Sequence, residues 1–266
     1  MTVLIKYPYQ TSKTNKDFFK RKEQEFTSSD WCKWAGWWDT DGSFADMSHL
    51  ERGKSRNKKT AGLKLKDKQP VALFSKIFDT SLLYLEWKTT TPEPRSHTYT
   101  AQVYTAELRG KKGIWFTKNV YPYLIKEEKK DYAAKLLGYR PESKDFTTWT
   151  RDEVIHYLAT AIEGDGGFRV RGKKNSCIEA TLSSNDPQYL SDVQYLISKK
   201  LGILSSFCEI DTYQTKEGIK TMYRLYINGS INIPQNINFF QRLVKDNVMT
   251  LDRKKQKVQA FVSYIS

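Results

Sequence analysis

A chain of 266 residues, 39% hydrophobic and 14% aromatic, has ample material for a buried core. Its 44 basic against 30 acidic side chains leave a net charge of +14, which favours a polyanionic partner such as nucleic acid. No apolar run approaches the ~20 residues that a membrane-crossing helix needs, and Lys6 interrupts the short apolar start, so neither a membrane span nor a signal peptide is expected.

Cys32, Cys177 and Cys208 are odd in number and far apart, which points to an intracellular, reducing compartment and no disulfide frame. With His49, His97 and His156 as the three histidines, neither zinc spacing nor a histidine-based nuclease site is expected.

In chain order, 1–27 is polar and basic and reads as an arm. Ser28 to Asp30 suit a helix N-terminus, and the apolar helix behind them ends in Trp37-Trp38-Asp39-Thr40-Asp41-Gly42. A strand over 43–49, a basic turn over 51–59 and a second strand around Leu63 and Leu65 follow. Pro70 opens a helix to Phe78, a hairpin covers 82–90 and 99–108, and helices are predicted over 117–124 and 127–137.

A polar stretch, 139–148, separates a first half (28–138) from a second (149–266). The second half repeats the plan. Thr150 and Glu153 form a capping box ahead of an apolar helix ending in Ile162-Glu163-Gly164-Asp165-Gly166. Strands over 168–171 and 178–182, a helix over 187–201, strands over 203–213 and 219–227, and helices over 237–244 and 251–265 complete it.

The acid-X-Asp-Gly ending therefore occurs twice, nearly half the chain apart, each time with a Phe two residues later (Phe44, Phe168) and a strand behind it. Gly42 and Gly166 are expected to end their helices in the left-handed conformation, leaving Asp41 and Asp165 beyond the last turn. Two such helices packed about a pseudo-twofold axis bring the aspartates together, and two close carboxylates call for a hard divalent cation, Mg²⁺ above all. Asp39 and Glu163, at the first acidic position, are expected to tie down the helix ends. The run Gly164-Asp165-Gly166-Gly167 lacks the Lys-Ser/Thr of a phosphate-binding loop.

Both segments resemble the LAGLIDADG motif of the homing endonucleases, and the chain resembles a single-chain, two-repeat member over roughly 28–262. It departs from the pattern in the bulk of Trp34, Trp37 and Trp38 and in Thr160, which stands where a small glycine is usual. The resemblance implies an α+β fold of two pseudo-symmetric αββαββα half-domains, each with a four-stranded antiparallel sheet, packed through the two motif helices. It implies a monomeric, site-specific endonuclease that hydrolyses one phosphodiester bond on each strand of double-stranded DNA across the minor groove of a long asymmetric site. Asp41 and Asp165 are then the catalytic metal ligands with the carbonyls of Thr40 and Gly164. Mg²⁺ is the expected ion, Mn²⁺ a substitute, and Ca²⁺ an ion that binds without turnover. Lys254 is the candidate basic helper in the second half, with Lys126 or Lys129 in the first. Two other readings are an RNA-binding group I intron maturase, with intron RNA as partner, and a DNA-binding regulator on a catalytically dead fold.

Alternation along the strands divides each sheet into faces. Phe168 and Val170 turn inward and set Arg169, Arg171 and Lys173 outward; Leu63 and Leu65 do the same for Lys64 and Lys66. Thr221, Tyr223, Leu225 and Ile227 read as inward, leaving Lys220 and Arg224 outward, while Tyr99, Ala101 and Val103 leave Gln102 and Tyr104. Outward basic residues suit a ribbon lying in the ~12 Å major groove, where Arg and Lys read guanine and Gln reads adenine. Ser43, Met47 and His49 complete the expected DNA contacts, and their contrast with Arg171 and Lys173 implies a non-palindromic target.

Overall fold

The structure, a computed structural model, describes residues 5–7, 15–46, 49–51, 54–56, 59–90, 98–172, 176–215 and 218–265. The chain forms two compact units: Met1–Glu25, Asp41–Asn119 and Tyr132–Arg140 in one, and Phe26–Thr40, Val120–Asp131 and Pro141–Ser266 in the other. The units cut across the repeat, because the first motif helix clusters with the second half of the chain.

The first unit holds strand β1 (Ile5–Tyr7) and helix α1 (Asn15–Glu25), then β2 (Gly42–Asp46), β3 (His49–Glu51), β4 (Lys54–Arg56) and β5 (Lys59–Leu65). Helix α3 (Lys68–Ile77), β6 (Leu82–Thr90), β7 (Thr98–Arg109) and α4 (Lys111–Val120) follow. The four expected strands are present, and β1 extends them to an antiparallel sheet of order β1-β6-β7-β5-β2. Its inner face buries Phe44, Ala61, Leu63, Leu82, Ala106 and Leu108.

Two expectations change in this unit. The basic stretch read as a turn holds the small hairpin β3–β4. The amino-terminal arm contains α1, whose Phe18 is buried edge-on to Trp115 while the Lys112 ammonium lies 4.2 Å from its ring centre. Two adjacent phenylalanines in a basic stretch carry little signal in a sequence, yet Phe18 and Phe19 both pack on Trp115 and anchor the helix.

The second unit is built on α2 (Ser28–Thr40) and α6 (Arg151–Asp165). Helix α2 buries Trp31, Cys32, Trp34, Ala35, Gly36, Trp37, Trp38 and Asp39, and α6 buries residues on all sides as well. A helix apolar all round belongs in the interior. Both start with reciprocal caps. Thr27 and Asp30 exchange backbone–side-chain hydrogen bonds of 2.8 and 3.3 Å, and Thr150 and Glu153 form the expected capping box.

Around this pair lies a four-stranded antiparallel sheet of order β10-β11-β9-β8, made from β8 (Gly166–Arg171), β9 (Cys177–Ser184), β10 (Ser206–Thr215) and β11 (Gly218–Ser230). Phe168, Ile178, Ala180, Leu182, Leu225 and Ile227 fill its inner face. Burial of each large aliphatic among them contributes about 1.5–3 kcal/mol. Helices α5 (Glu127–Leu137), α7 (Pro187–Leu196), α8 (Pro234–Lys245) and α9 (Asp252–Ile265) complete the fold, with α7 running on into a wider π turn over Ile197–Leu201.

The two motif helices touch at Gly36 and Thr160. A Cβ on Gly36 would lie 2.3 Å from Thr160 Oγ1 and 2.4 Å from the Tyr157 carbonyl. Thr160 fits because its partner has no side chain, and its hydroxyl donates to the Lys33 carbonyl at 2.7 Å. Gly166 departs from the expected left-handed helix end. Its φ of −137° and ψ of −158° are extended, and a Cβ there would sit 1.9 Å from the Thr181 carbonyl. Glycine is required by the close approach of β9. Gly42 likewise opens β2 directly.

Candidate active site and nucleic-acid face

Asp165 is the last residue of α6 and retains an exposed surface. Burial raises its carboxyl above the usual carboxylate range, while Lys126, Lys129 and Lys254 pull it back down. Among the described residues no hydrogen bond engages that carboxylate. Glu163, two residues earlier, is engaged by backbone amides. It accepts from Thr250 N at 2.8 Å and Leu251 N at 2.6 Å, which ties the end of α6 to the start of α9. Burial raises the Glu163 pKa, with those amides, Lys33 and Lys254 opposing it.

Lys254 is buried, and its ammonium donates to the carbonyls of Ile162 at 3.1 Å, Glu163 at 2.5 Å and Gly166 at 2.8 Å. An ammonium has three N–H donors, so these carbonyls occupy all of them. The geometry makes Lys254 a cation seated on the carbonyl end of α6, where helix-dipole electrostatics favour it. It holds the turn that carries Asp165.

The end of α2 is tied down by the same device with different residues. Asp39, fully buried, accepts from Ile125 N at 2.8 Å and Lys126 N at 3.3 Å, at the start of α5. It also accepts from the Tyr157 hydroxyl at 2.6 Å, and that hydroxyl lies 3.1 Å from the Tyr189 hydroxyl. Burial pushes the Asp39 carboxyl up to about 6 despite the bonds from Tyr157, Ile125 and Lys126. Lys129 follows Lys126 by the same interval that separates Lys254 from Leu251, so Lys129 holds the place in the first repeat that Lys254 holds in the second. Burial lowers the Lys129 pKa, Lys126 adds to that, and Asp39, Glu128 and Asp165 oppose it.

Thr40 ends α2 with its hydroxyl donating to the carbonyls of Gly36 and Trp37 at 3.0 and 3.1 Å. Asp41 follows it directly in the first unit, with Oδ2 shut off from solvent. Among the described residues no cluster of three or more His, Cys, Asp or Glu is arranged to hold a metal ion. Any ion at the motif ends would therefore rely on few carboxylates and draw further oxygens from backbone, water or a bound phosphate. Tyr157, Tyr189 and Lys33 were not singled out in the sequence. A tyrosine inside an otherwise aliphatic buried helix was the available signal, since its hydroxyl must find a partner.

The strand faces fall mostly as expected. Arg169 pairs across from Glu179 and Arg171 from Cys177, on the face opposite Phe168 and Ile178. Arg171 is held by Glu179 at 3.0 Å, and Arg224 donates to Ser183 Oγ at 3.0 Å. Lys220 and Arg224 share the face that alternates with buried Leu225 and Ile227. In the first unit Ser43 and Lys64 are exposed and alternate with buried Phe44 and Leu63, and Lys66 is exposed just beyond β5.

Gln102 and Tyr104 are corrected. Tyr104 stands opposite Leu65 and Tyr84, and Gln102 opposite Glu86, which puts both on the face of Leu63, Leu82 and Ala106. Lys64 instead faces Thr105. Buried Ala106 and Leu108 set the phase of β7, and the reading from Tyr99 to Val103 was out by one residue. Gln102 is engaged by Glu86 at 3.1 Å and Tyr104 by the Tyr84 ring. His49 lies on β3 opposite Arg56. Met47 and Lys173 lie outside the described residues.

Residues 152–235 match the family model described as a LAGLIDADG-like domain. Among solved structures, the homing endonuclease I-WcaI bound to its DNA recognition sequence is similar at 15% identity and a TM-score of 0.51, over 93% of this chain and 92% of that one. The LAGLIDADG meganuclease I-CpaMI bound to uncleaved DNA aligns at 12% identity and a TM-score of 0.49, over 90% and 92%. No curated protein sequence matches.

Proposed function

We infer, from a chain that carries a LAGLIDADG-like domain over residues 152–235 in a fold like that of the homing endonucleases, that the protein is a site-specific, divalent-metal-dependent DNA endonuclease. The observation that carries this reading is Asp165. It stands at the end of a buried helix, takes up no hydrogen bond among the described residues and has Lys126, Lys129 and Lys254 around it. A structural cap would spend its oxygens on backbone amides, as Asp39 and Glu163 do. Asp41 holds the matching place in the other repeat.

The donors fit a hard cation. Asp41 and Asp165 supply carboxylate oxygens, and the carbonyls of Thr40 and Gly164 supplement them. Mg²⁺ is the ion of choice, Mn²⁺ replaces it, and Ca²⁺ supports binding without turnover. When bound, such an ion polarises the scissile phosphate and lowers the pKa of a coordinated water.

The chain's own residues do the rest. Lys254 holds the turn that presents Asp165. Lys126 and Lys129 bring positive charge to where the phosphate must sit, against its developing negative charge. Arg169, Arg171, Lys220 and Arg224 present a basic, aligned surface to a duplex. One phosphodiester bond on each strand is cut across the minor groove of a long asymmetric target, by a monomer. Mobility of its host intron is the corresponding biological role.

A plasmid library with randomised inserts and Mg²⁺ tests this. Wild type linearises members that carry one sequence, and Asp41→Asn or Asp165→Asn abolishes that linearisation. Binding without any cutting in Mg²⁺ or Mn²⁺ would replace the nuclease by a regulator or an RNA-directed maturase.

A further inference from the structure

The acids of the two motif helices, Asp39 and Glu163, are held with different chemistry. Tyr157 on α6 and Lys33 on α2 occupy the same place in the repeat, each three residues before the helix contact at Thr160 or Gly36. Tyr157 reaches across to Asp39 on α2 with a 2.6 Å hydrogen bond. Lys33 stands where the tyrosine would be, and the described hydrogen bonds of Glu163 come from Thr250 N at 2.8 Å and Leu251 N at 2.6 Å.

The Tyr157 hydroxyl has one proton, and Asp39 takes it, so Tyr189 on α7 donates to the Tyr157 oxygen at 3.1 Å. The Lys126 ammonium lies 5.6 Å from the centre of the Tyr189 ring. Asp39 thereby joins α2, α6, α7 and the start of α5 through one buried carboxylate. Networks of this kind rigidify when every member is satisfied and loosen as a unit when one is lost.

We propose that Tyr157, backed by Tyr189, is a positioning residue for one of the two cuts, acting through Asp39 on the turn that carries Thr40 and Asp41, an arrangement that the Glu163 end of the other motif helix does not repeat. The two half-sites of this chain are thus tuned independently despite their shared motif. This rests on the nuclease reading above, and it extends that reading to unequal control of the two strands.

The test uses a duplex recovered from the randomised pool, with a different dye on each strand, cut in Mg²⁺ under single turnover. Tyr157→Phe keeps the ring and removes only the hydroxyl. It is expected to slow one strand about 10- to 100-fold, the range seen when a supporting hydrogen bond behind a reactive group is lost, and to build up nicked duplex. Tyr189→Phe slows the same strand less.

Backbone amide exchange gives a readout independent of cutting. Tyr157→Phe speeds exchange at Ile125 and Lys126 and leaves Thr250 and Leu251 as in wild type. Equal slowing of both strands, an unchanged ratio, or unaltered exchange at Ile125 and Lys126 overturns the assignment. Wild type that cuts nothing overturns the nuclease reading and the strand assignment with it, whereas wild type that cuts while Tyr157→Phe keeps the strand ratio overturns the assignment alone.

Discussion

Gly36 decides how closely two buried helices pack. The atoms facing it are a threonine hydroxyl at 2.3 Å and a backbone carbonyl at 2.4 Å from where a Cβ would stand. The hydroxyl can rotate away; the carbonyl cannot. Gly36→Ala should therefore destabilise the protein by about 2–3 kcal/mol in urea denaturation, as overpacked cores do. Adding Thr160→Ala should restore little of that, because the Tyr157 carbonyl remains. Full rescue by the double variant would show that the threonine alone sets the spacing.

A second residue-scale effect concerns protons. His156 is partly buried on α6, with its Nδ1 buried and unpartnered among the described residues. Burial lowers its pKa, Lys33 adds to the effect, and Asp30, Asp152 and Asp246 oppose it. The unfolded chain, with an ordinary histidine pKa near ~6.5, therefore takes up this proton first as pH falls, and the stability contributed by neutral His156 is present above that value and lost below it. Denaturation midpoints at pH 7 and 5 should show wild type losing stability relative to His156→Gln. Asp39, Glu163 and Asp165, with raised carboxyl pKa values, push stability the other way, so the difference between the two proteins is the quantity to follow.

At the scale of elements, helix ends show what a sequence discloses. The Thr150–Glu153 box was legible because both members lie within one turn and the chemistry is local. Asp39 and Glu163 were legible as caps in type, while their donors, on segments far along the chain, were not. Lys254 was picked out by its place in a basic run; its three carbonyl acceptors emerge only when α9 docks beside α6. Strand phase was legible where a buried pair such as Leu225 and Ile227 dominates, and misread on β7, where mixed residues alternate weakly and Ala106 carries the signal. The repeat made the motif helices readable; the compact units, which pair α2 with the second half, follow from packing alone. Lys254 yields the prediction that belongs here. Lys254→Met keeps bulk and removes the donors, leaving the carbonyls of Ile162, Glu163 and Gly166 to find others. Buried acceptors left unmet cost about 1–3 kcal/mol each, so a loss of about 3 kcal/mol is expected in urea melts, with faster amide exchange in the last turn of α6. An unchanged midpoint would mean that the end of α6 is held by Glu163 alone.

For the whole molecule, charge makes a claim that no single site can. A surplus of +14 need not bind DNA, because an evenly spread surplus only keeps a protein soluble. What matters is alignment, and in the second unit Arg169, Arg171, Lys220 and Arg224 share one sheet face while the apolar residues of the same strands turn to the core. Contacts of this kind release counterions from the duplex, so affinity must fall steeply and linearly on a logarithmic salt scale. With about six phosphates engaged, affinity should drop roughly 10³-fold between 50 and 200 mM salt. Fluorescence anisotropy with a labelled duplex over that range measures the slope, and Arg169→Ala should reduce its magnitude by about one if that guanidinium meets a phosphate. A slope unchanged by Arg169→Ala but accompanied by relaxed sequence preference would place Arg169 on a base edge, and a shallow wild-type slope would mean that the aligned cations do not meet the backbone at all.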